Sequence, residues 1–502
     1  MNKLKTRRIV FYTALAAAIA FCWAVIFGIA LYRCGMRLTT VNINPAVQTQ
    51  SNTQSLLRPQ NTGLTERAAH SQNEKNIYYI AGTAPQVPFR IPTLGKLAAC
   101  AHNMPKPPSI AARSAVVIDA ASGELLFEKN PDQSIPPASL TKLVAIYTAM
   151  QAVEQGTISL TDVIAPPWEA WATNIPPGSS LMFLGKNQRV SVEELILGMS
   201  VVSGNDAAVA LAIHTAGSVS AFVKQMNEAV ASLGLQNTHF DDASGLSEYN
   251  RTTARDFARF AAVYVRKYPE HLERFHSVRE LRYPQQRNML KTQATIRQPA
   301  TNTLLTKLDG CDGIKTGFIY ESGFNIALTA QRNGIRFIAV ILGGAGQTAR
   351  EGKAIREKNG KALMEWAFSN FSTVYAQHFP LYVPAVPIVG AKEKADRAAL
   401  LPLLADPSGS DTAFTIRLSG SGLQHDTAAI YTRILLPANL SAPIVTGQRI
   451  GNVRFLQKID GQELTVADFP LVAYKDIKQG SALRWKYDNL ALKFYRRVRM
   501  FF

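Results

Sequence analysis

A serine and a lysine one helical turn apart, Ser139-Leu-Thr-Lys142, form the sole S-x-x-K in this chain. They follow Pro136-Pro137, so Ser139 is expected to open a helix, with Lys142 on the same face and within reach of its hydroxyl. A serine hydroxyl is a poor nucleophile until a base removes its proton, and a lysine serves as that base once its pKa is lowered. Burial or a neighbouring cation lowers it, because each disfavours the ammonium form. At a helix start Ser139 also turns its backbone N–H toward a developing oxyanion.

Two further patterns carry polar groups suited to the same work. Ser203-Gly-Asn205 sets a hydroxyl and a carboxamide before a helix opening at Asp206-Ala-Ala, though Ser71-Gln-Asn73 has the same spacing, so the pattern says little alone. Lys315-Thr-Gly317 lies on the strand-like stretch Gly313 to Phe318. A lysine and a threonine there can grip a carboxylate, and the glycine lets a substrate backbone approach the strand edge. The eight histidines form no H-E-x-x-H, and Cys22, Cys34, Cys100 and Cys311 are too scattered for a metal site or a disulfide framework. No metal and no cofactor are expected. Cys100 and Cys311 read as thiols, with a bond between them open in an oxidising compartment. The absence of G-x-S-x-G argues against a Ser-His-Asp hydrolase.

The elements that must position these groups mix helices with antiparallel strands, an α+β pattern. Ser114-Ala-Val-Val-Ile-Asp119 and Glu124-Leu-Leu-Phe-Glu128 flank a Ser122-Gly123 turn, and a second hairpin runs from Phe324 through Asn333-Gly334 to Leu342. Helical spacing runs from Ser139 to Glu154, Ser191-Val-Glu-Glu194 reads as a capping box, and an amphipathic run from Ser218 stops at Gly234. From residue 376 to 482 short β-type runs alternate with Gly, Pro and Asp, which suggests a small β-rich domain.

Charge and hydropathy place the ends. Of 502 residues 47% are apolar, enough for a sizeable core, and a net charge of +18 suits an anionic membrane or wall polymer. Without zinc-finger spacing or an RNP-like run, nucleic acid is not expected. Residues 1–8 form a basic tail, and Ile9 to Tyr32 carry no charge, which predicts an uncleaved transmembrane helix with the rest of the chain outside the cytoplasm. Residues 33–105 read as a spacer and 106–375 as the catalytic domain. In 483–502, Tyr487, Leu490, Ala491, Phe494, Val498 and Phe501 share one face, the pattern of a basic amphipathic helix lying in a membrane interface.

Taken in order and separated by 64 and 112 residues, the three motifs resemble the penicillin-recognising serine enzymes. The fuller stretches Ile135 to Lys142, Ser203 to Asp206 and Asp312 to Gly317, with Thr238-His-Phe240, Ser244-Gly-Leu246 and Thr253-Ala-Arg-Asp256, look like low-molecular-mass D-alanyl-D-alanine carboxypeptidases. The likeness is close over about residues 108 to 372. It implies a DD-peptidase/β-lactamase-like domain, with its antiparallel sheet flanked by helices, followed by the β-rich domain. The implied partners are peptidoglycan stem peptides ending in D-Ala-D-Ala, with β-lactams as covalent inhibitors.

The resemblance makes Ser139 the nucleophile, Lys142 its base, Ser203 the proton relay to the leaving D-alanine, and Asn205 a partner of Lys142 and of the substrate amide. Lys315, Thr316 and Gly317 would bind the terminal carboxylate end, and the charge of Lys315 would help depress Lys142. The Ser139 and Phe318 N–H groups would form the oxyanion hole, and Arg350 occupies the place of a carboxylate-binding arginine. Phe318-Ile319 departs from a family that often has threonine at the second of these positions, and the spacer has no counterpart. The alternatives are a DD-endopeptidase, a β-lactamase (whose E-x-x-L-N glutamate is missing here), or a wall-binding scaffold that has lost turnover.

Overall fold

A computed structural model describes residues 105–376, 386–393, 403–404, 413–418, 430–459, 462–473 and 475–499. The stretch Ile9 to Tyr32, the spacer up to 104, and Cys100 lie outside the described residues. At the centre is a five-stranded antiparallel sheet in the order Leu125–Lys129, Ala112–Asp119, Ile335–Gly344, Gly323–Arg332, Cys311–Ile319. The chain's start thus pairs with a strand more than two hundred residues later, Val116 opposite Val340. Asn333 and Gly334 both take positive φ in the tight turn before Ile335, as an Asn-Gly hairpin requires.

Strand Ala112–Asp119 is apolar on both faces because both faces are covered. Val116 and Ile118 enter one core with helices Thr141–Glu154, Val192–Val201, Asn205–Ala216, Val219–Ser232 and Ala254–Lys267. Ala115 and Val117 enter a second core beneath helix Ala349–Asn370. Alternation of side chains along a strand sends neighbours to opposite layers. The capping box at Ser191 and Glu194 forms, and Ser218 caps the following amphipathic helix as its sequence indicates.

The C-terminal β-rich portion packs Phe414, Ile416, Val453, Phe455, Val466 and Leu471 into its own core. It is tied to the catalytic sheet through Asp119. One carboxylate oxygen accepts from the hydroxyls of Thr373 and Thr415 at 2.7 Å each, while the other accepts the N–H groups of Ala121 and Ser122 in the first hairpin turn. Strand Phe371–Tyr375, which directly follows the long helix, pairs with Ala413–Arg417. Helix Ala482–Arg499 closes the described chain. The Asp488 carboxylate accepts the Gly390 N–H, and Ala491 is buried, whereas Leu483, Tyr487, Leu490 and Phe494 are exposed.

Candidate active site

Ser139 sits in a short 3-10 turn, Ala138–Leu140, that runs directly into helix Thr141–Glu154. The turn is tight because Ala138 takes a left-handed φ of 52°. Two glycines from elsewhere in the chain press against it. A Cβ on Gly245 would overlap the Ala138 carbonyl, and one on Gly317 would lie 2.9 Å from the Pro137 oxygen and 3.0 Å from the Ser139 nitrogen. The glycine of K-T-G therefore serves the strand's approach to the serine turn, a role beyond the expected access for substrate. Asn325, on the next strand, adds a tether by donating to the Pro136 carbonyl at 3.0 Å.

Lys142 is fully buried. Its Nζ lies 3.0 Å from Ser139 Oγ, 2.5 Å from Asn205 Oδ1 and 2.5 Å from the Ser244 carbonyl. Burial lowers its pKa to about 7, against the upward pull of Asp242 and Asp206. The amide and carbonyl oxygens only accept hydrogen bonds. In the neutral amine both hydrogens are therefore committed to them, and the lone pair is left facing the Ser139 hydroxyl.

The Ser244 carbonyl is aimed by Asp242, whose carboxylate accepts from Ser244 Oγ, the Gly245 and Leu246 N–H groups, and Asn250 Nδ2. Asn250 in turn donates to Thr141 Oγ1 at 3.1 Å. Asp206 does comparable work beside Asn205. Its buried carboxylate accepts the N–H groups of Met182, Phe183 and Leu184, fixing that loop against the helix start. Ser203, also buried, is held at a left-handed φ of 64°, a conformation costing a non-glycine residue about 1–3 kcal/mol and typical of functional sites.

On the sheet side, Lys315 and Thr316 are buried on the edge strand Cys311–Ile319. Lys315 donates to the Thr316 carbonyl at 2.8 Å, and Thr316 Oγ1 donates to Thr301 Oγ1 at 2.9 Å. Thr301 also donates through its N–H to Val201, just before the Ser203 turn. Burial is the largest influence lowering Lys142, and burial, Lys142 and Arg356 together hold Lys315 well below its ordinary pKa, the repulsion between the two lysines acting on both.

Arg350 is exposed near the start of the long helix, while a second arginine, Arg356, six residues on, is buried and donates to the Thr301 carbonyl. Burial brings the Arg356 pKa down to about 10, so it stays charged at neutral pH. Phe318 is half exposed, its ring tilted against that of Phe324 with centroids 4.5 Å apart, and Phe324 packs over Gly352 of the same helix.

Ser139, Lys142, Asn205 and Ser244 are thus joined directly, and Thr316, Thr301 and Arg356 form a second connected set. Thr301, Asp206, Asp242, Asn250 and Arg356 were not read as site residues. Asp206 and Ser244 stand within stretches that already stood out, whereas nothing local marks Thr301. Cys311 is a free thiol whose pKa burial pushes up to about 11. Among the described residues no group of acidic, histidine or cysteine side chains could hold a metal.

A serine turn carrying a buried lysine base, set between a helical layer and the edge of an antiparallel sheet, defines a serine hydrolase of the acyl-enzyme type. A family profile described as D-alanyl-D-alanine carboxypeptidase matches residues 101–346. The D-alanyl-D-alanine carboxypeptidase DacA of Haemophilus influenzae is 36% identical over 390 residues, covering 77% of this chain and 90% of that protein. Its namesake in Escherichia coli strain K12 is 34% identical over 396 residues, 78% and 90% of the two chains. Among solved structures, penicillin binding protein 5 from Haemophilus influenzae superposes with a TM-score of 0.62 at 32% identity, over 75% of this chain and all (100%) of that one. Penicillin binding protein 6B from Escherichia coli gives 0.56 at 30%, over 74% and 98%. The chain belongs to the D-alanyl-D-alanine carboxypeptidase family.

The packing around Gly317 makes a direct prediction. Gly317→Ala forces its methyl against Pro137 and the Ser139 nitrogen, so covalent labelling by fluorescent penicillin should slow by roughly tenfold or more, the effect of about 1.4 kcal/mol or more. An unchanged labelling rate would mean the serine turn yields without consequence.

Proposed function

We propose that this chain removes the terminal D-alanine from peptidoglycan peptides through an acyl-enzyme on Ser139. The observation that carries the reading is the buried Lys142 amine, which faces Ser139 Oγ with its other hydrogen-bonding directions taken by Asn205 and Ser244. Neutral Lys142 takes the hydroxyl proton as Oγ attacks the carbonyl carbon of the penultimate D-alanine. The Ser139 and Phe318 N–H groups receive the oxyanion. The C–N bond breaks as Ser203 passes a proton to the leaving amine, and a water then hydrolyses the ester with the same base. A β-lactam is attacked alike, but its leaving group stays tethered. With no class A glutamate motif in the sequence, its adduct persists for minutes.

The substrate carboxylate lies at Lys315, Thr316 and Arg356. Burial, Lys142 and Arg356 lower the pKa of Lys315, and Arg356, whose pKa of about 10 keeps it charged at neutral pH, supplies positive charge beside it. Endopeptidase and lactamase readings have no specific observation in their favour.

Three measurements test these roles. D-alanine release and penicillin labelling should both vanish in Ser139→Ala. In the native chain the acylation rate should rise with pH through about 7 as Lys142 loses its proton, and at pH 5 it should be about a hundredfold below its plateau. A profile flat from pH 5 to 8 removes Lys142 as the base. Arg356→Gln should raise KM for a D-Ala-D-Ala peptide by about 10–100-fold, the worth of a charged hydrogen bond, with Arg350→Gln close to native. The reverse ranking returns the carboxylate to Arg350.

The same proposal extends to placement: both ends hold the enzyme at the cytoplasmic membrane, with the catalytic domain on the extracytoplasmic side. The uncharged run Ile9 to Tyr32 and the exposed Leu483, Tyr487 and Leu490 of helix Ala482–Arg499 support it. A chain lacking residues 1–34 should bind anionic vesicles through its C-terminal helix and lose binding in high salt, as basic residues near such a surface contribute about 1 kcal/mol each. Binding unaffected by removal of 482–502 from that shortened chain excludes the helix.

A further inference from the structure

Behind the K-T-G strand lies a buried polar chain that the reaction does not use. His276, at the end of the π-helical turn Leu272–His276, places Nδ1 3.2 Å from the Ile314 carbonyl and Nε2 2.8 Å from the Tyr264 hydroxyl. The same hydroxyl lies 3.0 Å from His271 Nδ1. All three side chains are buried. Burial, and next the neighbouring His271, hold the His276 pKa down at about 3, so the ring is neutral under all working conditions.

The hydrogens of this chain can run in only one direction. A carbonyl accepts only, so His276 carries its proton on Nδ1 and donates to Ile314. Its bare Nε2 must then accept from Tyr264, whose oxygen accepts in turn from His271 Nδ1–H. The order of donors and acceptors fixes the His276 tautomer. Two features give it consequence. Among the described residues, Cys311–Ile319 is the edge strand of the sheet and pairs with Gly323–Arg332 alone, so no second described strand sets its position on the cleft side. The contact is also close-packed, because a Cβ on Gly313 would lie 2.9 Å from His276 Cβ. The residue after Ile314 is Lys315.

We propose that His276 is a positioning residue for substrate binding, which through its Nδ1–H bond to the Ile314 carbonyl holds the edge strand so that Lys315 and Thr316 meet the substrate carboxylate. The inference rests on the carboxylate reading given above. It distinguishes His276 from a residue that merely fills the core, since its effect passes through the backbone carbonyl next to Lys315 and bears first on ligands that carry the anion.

The test uses two polar replacements and two probes on the full chain. His276→Asn keeps a donor near the Nδ1 position, and His276→Gln extends toward Tyr264 while giving up Ile314. Each is measured for penicillin acylation, resolved into the affinity of the first complex and the acylation rate constant, and for binding of a boronic acid that lacks a carboxylate. His276→Gln should weaken the first penicillin complex by about tenfold, the upper range for one hydrogen bond, with boronate affinity within about twofold of native. His276→Asn should stay within about threefold of native on both probes. Equal losses in the two variants, or a loss shared equally by both probes, overturns the proposal. Lys315→Met separates the two levels. If it spares the boronate and His276→Gln does not, only the role of His276 fails. If Lys315→Met weakens both probes alike, the carboxylate reading fails and His276 with it.

Discussion

Lys142 enters the interior on the first turn of its helix, and there its amine meets two oxygen atoms that cannot donate, those of Asn205 and Ser244. Bringing its pKa from 10.5 to about 7 corresponds to a net penalty on the ammonium of on the order of 5 kcal/mol. Two nearby carboxylates, Asp242 and Asp206, pull the other way and are outweighed by the loss of water. Asp242 spends its acceptor capacity on the turn that aims the Ser244 carbonyl. Asp206 is used up on three backbone N–H groups of the neighbouring loop and a fourth at Ala207. Both shape the surroundings of the base while giving it no direct salt bridge, which would hold it protonated and inert.

The second half of the cleft follows a different rule. Lys315 is buried within electrostatic reach of both Lys142 and Arg356. Burial lowers the pKa of all three, and Arg356, at about 10, stays charged at neutral pH. Thr301 joins the parts, since it bonds to Val201 before the Ser203 turn, to Thr316 on the strand, and to Arg356 on the long helix.

These groups can converge because the sheet is covered on both faces. The helical layer on one side carries Lys142 and Asn205 on helices and Ser203 on the turn between two of them, the helix on the other carries Arg356, and the edge strand stands between them. Gly317 and Gly245 remove the side-chain bulk that would otherwise keep the strand and the Asp242 turn from the serine. Asp119 anchors the C-terminal β-rich portion at the far edge of the sheet, away from Lys315 and Thr316.

Local rules written in the sequence determined much of this. The spacing of Ser139 and Lys142, the capping box at Ser191, the Asn333-Gly334 turn and the alternation of strand residues each depend on neighbours a few positions apart. Their physics is complete within one turn of helix or one hairpin. The motif order also carried the family, because three cheap patterns at long separation rarely coincide. What the sequence could not show was which distant groups share a desolvated space. That Arg356 is buried beside Lys315 is decided only by how the long helix packs. Burial is the largest cause of the lowered Lys142 pKa, and desolvation belongs to no single residue. Thr301, Asp242 and His276 act through partners 15, 102 and 38 residues away in the bonds that link Thr316 to Thr301, Lys142 to Ser244, and His276 to Ile314. Such pairings exist only after the chain has closed on itself, when excluded water makes each hydrogen bond and each charge count.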